Sequence, residues 1–354
     1  MRLIVLPGDG IGPEITDATL EVLKAASARF GLGLELVPMA AGRATLDSQG
    51  TTIPPGVDEA VRAADGLILG PMDSFSYAGQ GGGAVNPSAF FRRGLDLYAN
   101  IRPARTYPGL RSPTGAEFDL VIVRENTEGF YADRNMEAGN AEILVTPDVV
   151  VSMRKVTRQA CDRIAATAFR LAAKRRKHVT AVHKANVLTR GDGMFLASCR
   201  AQAKSHPDIT YDEVIVDAMA AHLVRKPGRF DVVVTTNMFG DILSDLAIEL
   251  SGSLGLGGSI NAGDRYCMAQ ASHGSAPDIA GQGIANPSSL ILSAGMLLGW
   301  LAERGGSNAY AAAAKAIEAA VAGAIAAGEG TRDVGGRSGT AAMGKAVAAR
   351  VAGA

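Results

Sequence analysis

The feature that most restricts this chain is the alternation of short, unbroken apolar runs with long amphipathic segments. Leu3–Leu6, Leu34–Val37, Gly66–Leu69, Leu120–Val123, Val179–His183, Glu213–Val216 and Val232–Thr235 are β-branched or leucine-rich and too short to be helices. Between them, Pro13–Phe30, Pro54–Ala64, Pro87–Tyr98, Met153–Lys174, Met194–Lys204 and Phe239–Leu250 carry helical spacing. Fully apolar strands separated by helices predict an α/β layered fold with much parallel pairing. The last quarter departs from this rhythm and predicts outer helices over Ser288–Glu303 and the alanine-rich Ala309–Ala327. Tyr131–Thr146 departs as well, and Glu142-Ile143-Leu144-Val145 within it predicts an extra hairpin or arm.

At roughly 150 residues per domain, 354 residues suggest about two domains. The 35 basic residues balance 35 acidic ones, which argues against a nucleic-acid or anionic-membrane surface. The one basic run, Lys174–Lys177, falls where a helix should end, and the helix dipole favours cations there. Cys161, Cys199 and Cys267 are widely spaced and odd in number, which fits neither a disulfide framework nor a zinc cluster. Met1 runs straight into the first strand without a signal peptide, and Leu290–Leu301 is too short to span a bilayer. A cytoplasmic protein is expected.

Several groups of residues carry chemistry. Gly8-Asp9-Gly10-Ile11-Gly12-Pro13-Glu14 follows a strand and opens a helix, either as a tight turn or as a phosphate cradle. The dinucleotide fingerprint fails because its third glycine would fall on Pro13. Arg92, Arg102 and Arg124 stand at helix and strand ends, where planar forks of donors suit a small polycarboxylate. Asp241 and Asp245 lie four apart on one helical face, with Asp217 at the end of another strand. Such an all-oxygen set either holds Mg²⁺ or Mn²⁺ or merely complements a helix N-terminus. Lys184 ends an apolar strand and is a candidate base, and Tyr131 a candidate acid. The long small-residue loop from His273 to Asn286 has the character of a binding loop.

Taken together, these segments resemble one family over nearly the whole chain: the β-decarboxylating dehydrogenases acting on isocitrate, 3-isopropylmalate, homoisocitrate and tartrate. Gly8–Glu14, Leu95–Pro103, Arg124–Gly129, His183–Leu188, Asp217–Met219, Thr235–Leu246 and His273–Pro287 are similar to its motifs, in its order. The resemblance implies an open, mixed α/β sheet in two discontinuous domains without a conventional Rossmann unit. Residues 1–98 and 252–354 would form the larger, cofactor-binding domain. Residues 99–251 would form the smaller one, with a dimer interface and an arm at about 131–146.

The resemblance also implies roles. Arg92, Arg102 and Arg124 would clamp substrate carboxylates. Asp217, Asp241 and Asp245 would hold the metal, Asp217 also touching the substrate. Lys184 would take the hydroxyl proton and Tyr131 would protonate the enol carbon. Lys184 and Asp217 would serve the neighbouring subunit's site, so a homodimer, possibly a tetramer, is implied. His273, Gly274, Ser275, Ala276, Asp278, Ile279 and Asn286 would bind the cofactor. Asp278 suits the ribose hydroxyls of NAD and would repel a 2′-phosphate.

Val85, Asn86, Pro87, Ser88 and Ala89 match no branch of the family cleanly, and Gln270 stands where many relatives carry Glu. The substrate branch is therefore left unassigned. A non-catalytic regulatory subunit of a multi-subunit isocitrate dehydrogenase is the alternative, although no catalytic residue is lost. A related-fold dehydrogenase of phosphorylated hydroxythreonine would use a histidine-based metal site, which the aspartate set argues against.

Overall fold

The computed structural model describes residues 1–77, 80–131 and 141–353. In chain order the strands are β1 (Arg2–Leu6), β2 (Glu35–Pro38), β3 (Gly66–Leu69), β4 (Ala99–Arg105), β5 (Asp119–Glu125), β6 (Glu142–Thr146), β7 (Val149–Ser152), β8 (His178–His183), β9 (Thr210–Ile215), β10 (Val232–Thr235), β11 (Ile260–Ala262) and β12 (Cys267–Gln270). The helices are α1 (Gly12–Phe30), α2 (Arg43–Gln49), α3 (Val57–Ala63), α4 (Pro87–Gly94), α5 (Arg158–Ala172), α6 (Gly191–Ser205), α7 (Val216–Arg225), α8 (Asn237–Leu250), α9 (Ser288–Glu303), α10 (Asn308–Ala326) and α11 (Thr340–Ala352).

Ten strands form one mixed sheet in the order β2-β1-β3-β12-β11-β4-β5-β10-β8-β9. Two parallel wings, β2-β1-β3-β12 and β5-β10-β8-β9, flank antiparallel pairings through β11 and β4. Strand alternation divides the apolar residues between the faces. In β1, Leu3 and Val5 pack with α1, α9, α10 and α11, while Ile4 and Leu6 pack with Val57, Val61 and Phe91 on the other face. In the second wing, Val121, Val123, Val232 and Val234 meet α5 and α6, while Leu120, Ile122 and Val233 meet α7 and α8. Each of these side chains is nearly or fully buried, a gain of about 1.5–3 kcal/mol apiece relative to exposure.

The expected strands and helices are present with shifted ends. Helix α4 stops at Gly94 rather than Tyr98, because the chain reverses through Asp96 at φ +48°. Helix α5 starts at Arg158, not Met153, because the Thr157 side chain caps it by accepting the Ala160 N–H. Strand β9 ends at Ile215, so Asp217 lies in the first turn of α7 and not at a strand end.

The glycine-rich turn is filled by protein. A side chain on Gly8 would meet the Pro71 carbonyl, and one on Gly10 the Ser275 carbonyl, at 2.3 and 2.0 Å. The buried Asp9 accepts the N–H groups of Arg43 and Asp73. This is the tight-turn reading, not the phosphate cradle.

Each cation of the basic run has a partner in the protein. Lys174 pairs with Glu303, Arg175 with Asp119 and Asp231, and Lys177 with Asp208, while Arg176 donates to the Phe230 and Asp119 carbonyls. The three cysteines are buried thiols. Among the described residues only α10 is long and apolar enough to cross a membrane, and its inner face packs against α1, α9 and α11. Strands β6 and β7 form the expected hairpin, while residues 132–140 of the expected arm lie outside the described residues.

Candidate active site

Parallel strands deliver their carboxyl ends to one edge of a sheet, where α/β proteins build sites. Here Thr235 of β10 is in register with Arg124 of β5 and Val182 of β8, two residues before Lys184. Strand β4 runs antiparallel to β5, with Asn100 opposite Arg124. Arg102, two residues on, therefore shares a sheet face with Arg124. Helix α8 covers that face. Its Gly240 and Ser244, four apart, turn towards the strands: a side chain at 240 would meet Arg124 Cβ and Cγ at 2.6 Å, and Ser244 Oγ accepts from Arg102 Nη1 at 2.8 Å. Asp241 and Asp245 follow these small residues by one position and so flank the contact.

Arg124 is 1% exposed, and its guanidinium is held on two sides. Nε and Nη2 donate to Asn237 Oδ1 at 2.9 and 2.7 Å, and Nη1 donates to Asp241. Asn237 is itself oriented by donating to the Glu128 carbonyl at 2.8 Å. Arg102 Nη1 reaches Asp245 Oδ1 at 2.9 Å and Asp241 Oδ1 at 3.6 Å. Its Nε is buried with no hydrogen-bond partner among the described residues. Tyr131 donates to Asp241 Oδ2 at 3.3 Å.

The two carboxylates are poised differently. Burial pushes the Asp241 carboxyl up, but the Arg124, Arg102 and Arg92 guanidiniums and the Tyr131 hydroxyl outweigh it and hold the group below its ordinary value. At Asp245, burial dominates over the attraction of Arg102, the charge on Asp241 adds to it, and the carboxyl lies above its ordinary value. Arg92 projects from α4, and its Nη2 donates to Gln270 Oε1 at 3.0 Å.

The expected site residues fall into three groups. Arg102, Arg124, Tyr131, Asp241 and Asp245 converge as described, while Arg92 donates to Gln270. Lys184 and Asp217 pair with each other, Nζ to Oδ1 at 2.5 Å, and the Lys184 N–H is fixed by buried Asp192. That pairing draws the Asp217 carboxyl below its ordinary value. Among the described residues no three acidic, histidine or cysteine side chains of one chain gather as a metal cluster, so Asp217 does not join Asp241 and Asp245 within one molecule.

The third group lines an open cleft of about 520 Å³. His273, Gly274, Ala276, Ile279 and Asn286 are on its wall, together with Ile11, Gly255, Ile284, Ala285, Arg332 and Asp333. His273 Nδ1 lies 3.0 Å from the Gly274 carbonyl, while its Nε2 is buried without a partner among the described residues. Burial holds the imidazole pKa below its ordinary value. Ser275 lies behind the wall, its carbonyl accepting the Ile11 N–H at 2.9 Å, and Asp278 is exposed on a short helical turn, Pro277–Ile279.

Sequence reading passed over Asn237, Ser244 and Asp333. Asp333 accepts from Asn286 at 2.8 Å and from Ser253 at 2.5 Å, so it fixes the loop from the far end of the chain. The only signal for it was its glycine-rich surroundings, Gly328 to Gly336.

The sequence model of the family described as isocitrate/isopropylmalate dehydrogenase matches residues 2–347. The 3-isopropylmalate dehydrogenase of Saccharolobus solfataricus is 40% identical over 336 residues, 95% of each chain. The isocitrate/homoisocitrate dehydrogenase of Thermus thermophilus is 42% identical over 337 residues, 95% of this chain and 94% of that one. The crystal structure of isocitrate dehydrogenase from Methylococcus capsulatus superposes with a TM-score of 0.86 at 40% identity, covering 99% of both chains.

Two consequences are measurable. In chemical denaturation Gly240→Ala should lose about 1–3 kcal/mol, because the added methyl enters the Arg124 stem. Helix propensity alone would give a gain of about 1 kcal/mol. Because the Asp241 pKa is depressed in the folded chain, its stabilisation is present above the ordinary aspartate value and is lost as pH falls through the depressed one. The stability difference between wild type and Asp241→Asn should therefore shrink on acidification below about pH 4; a difference that grew would contradict this.

Proposed function

Because this chain belongs to the isocitrate/isopropylmalate dehydrogenase family, we propose that it oxidatively decarboxylates a 3-substituted (2R)-malate, with NAD as hydride acceptor. The products would be a 2-oxo acid, CO₂ and NADH. The observation that carries this reading is the meeting of Arg102 and Arg124 with the Asp241–Asp245 pair at one edge of the sheet.

The donors fit the groups that the family implies. Two carboxylates on one helix face, beside arginines that would bind an anionic substrate, suit Mg²⁺ or Mn²⁺, which need only one or two protein carboxylates. Asp241 and Asp245 would hold the ion, with Asp217 of a second copy completing the set. A bound divalent cation would supply Lewis acidity at the oxygen on C2. The cleft at His273–Asn286 fits a dinucleotide, since Gly274 leaves it open and His273 Nε2 is a buried polar atom that a ligand can satisfy. Nearby Asp278 favours ribose hydroxyls over a 2′-phosphate.

The chain's own residues then divide the work. Arg92, Arg102 and Arg124 bind the substrate carboxylates, and the buried Nε of Arg102 gives one donor with no competing protein acceptor among the described residues. Lys184 of the second copy, in its neutral amine form, would take the hydroxyl proton as hydride leaves C2 for NAD. The C3–carboxylate bond breaks with its electron pair passing to C3, and Tyr131 returns a proton there.

A homodimer is part of the reading. The β6–β7 hairpin exposes Leu144 and Val145 by 68% and 57%, and Val150 by 56%. A two-stranded ribbon with apolar residues in water is marginal alone, so a second copy would cover it. We also propose that residues 1–98 with 252–354 and residues 99–251 are the two domains. Their cores are built around the two wings of the sheet, with few side chains shared.

A turnover panel tests the reading. NADH should form with at least one of isocitrate, homoisocitrate, 3-isopropylmalate or tartrate plus Mg²⁺ or Mn²⁺, and NADH from none of them would refute it. Asp241→Asn and Lys184→Met should each be inactive. Co-expressed, they should recover about a quarter of wild-type activity, because half the dimers are mixed and each mixed dimer has one intact site. No recovery above the two variants alone would contradict the shared site.

A further inference from the structure

Asn237 opens α8, directly after β10, and is fully buried. It lies between two fixed neighbours. On one side Arg124 donates to its Oδ1, through Nε at 2.9 Å and through Nη2 at 2.7 Å. On the other side its Nδ2 donates to the Glu128 carbonyl at 2.8 Å. Glu128 is anchored in turn, its carboxylate accepting the N–H and the hydroxyl of Thr157 at 2.8 and 2.9 Å, at the start of α5. The approach is close: a side chain on Gly129, at φ +90°, would lie 3.3 Å from Asn237 Cβ. Two residues on, the same segment carries Tyr131.

Chemistry fixes which end of the carboxamide faces which neighbour. A guanidinium only donates and a carbonyl only accepts, so the oxygen must meet Arg124 and the NH₂ must meet Glu128. Nε and Nη2 of Arg124 form a pair of parallel donors, the arrangement that grips a carboxylate bidentately. Aspartate has nearly the shape of asparagine and would form an ion pair there, but its second oxygen would oppose the Glu128 carbonyl. The chain meets this edge with a neutral acceptor instead. Two donors orient the guanidinium while its charge stays undiminished, and Nη1 at its other end meets the negative Asp241, one turn further along the same helix.

We propose that Asn237 is a positioning residue for substrate binding: its neutral oxygen fixes the Arg124 guanidinium without neutralising it, which keeps that charge for a substrate carboxylate and Asp241 for the cation. This rests on the reading of the site given under Proposed function. Two substitutions separate the parts. In Asn237→Ala the guanidinium loses its neutral anchor and draws more on Asp241, in competition with the cation. In Asn237→Asp the guanidinium is paired at 237, which weakens its hold on substrate but releases Asp241.

The test measures kcat and KM on whichever of isocitrate, homoisocitrate, 3-isopropylmalate and tartrate the wild type turns over fastest. It also measures Mn²⁺ affinity by titration without substrate, in variants shown to be folded by circular dichroism. KM should rise about tenfold or more in both variants. Mn²⁺ binding should weaken about threefold or more in Asn237→Ala and hold or tighten in Asn237→Asp. In an Arg124→Gln background, Asn237→Ala should no longer weaken Mn²⁺ binding, because the competing charge is gone; this comparison decides the matter if Asn237→Asp does not fold. A merely structural role at the start of α8 would weaken Mn²⁺ binding in both variants, and equally with Gln at 124, which overturns the inference. An unchanged KM in Asn237→Ala also overturns it. A wild type inactive on every one of these malates instead removes the functional reading, and this inference with it.

Discussion

The buried Arg124 guanidinium constrains the rest of the site. Placing a full positive charge at 1% exposure costs several kcal/mol unless it is neutralised and hydrogen-bonded. The chain meets that demand with Asn237 and Asp241, both on the first turns of α8. The helix must therefore lie close to the end of β5, and it can only do so because residue 240 has no side chain. Once α8 is there, Ser244 and Asp245 fall within reach of Arg102, and Tyr131 within reach of Asp241. A packing requirement and a charge requirement are met by the same four-residue spacing.

That arrangement leaves the acids and bases in unequal states, which suits a reaction that moves protons and negative charge. Asp241 is held ionised among guanidiniums, while Asp245, more affected by burial than by its arginine, is easier to protonate. Lys184 and Asp217 neutralise one another at a separate point of the same chain. The loop that carries Lys184 is anchored by Asp192, which is buried against Arg154, and Arg154 follows the hairpin directly. The hairpin is therefore joined to the lysine's segment by one buried ion pair.

The strand–helix alternation is legible in the sequence wherever a strand is an uninterrupted apolar run. Ala99–Arg105 is not, because Arg102, Pro103 and Arg105 break its pattern. Pro103 is tolerated because β11 stops opposite Ile101, leaving that side of the strand open. Ile260–Ala262 and Cys267–Gln270 are too short to show periodicity, and their pairing, not their composition, makes them strands. In the site, the spacing of Asp241 and Asp245 and the arginines at element ends can be read directly. The bonds between them cannot. Arg92 and Gln270 lie 178 positions apart, and Asn286 and Asp333 lie 47 apart, so only the folded sheet brings each pair together.

The central claim is that Asp241 and Asp245, set by the arginines behind them, form the core of one divalent-cation site per chain. Titration with Mn²⁺ followed by electron paramagnetic resonance tests it without recourse to turnover. The account predicts one bound ion per chain in the wild type and loss of that binding in Asp241→Asn and Asp245→Asn, with the fold of both variants intact by circular dichroism. Unchanged Mn²⁺ binding in two folded variants would contradict it.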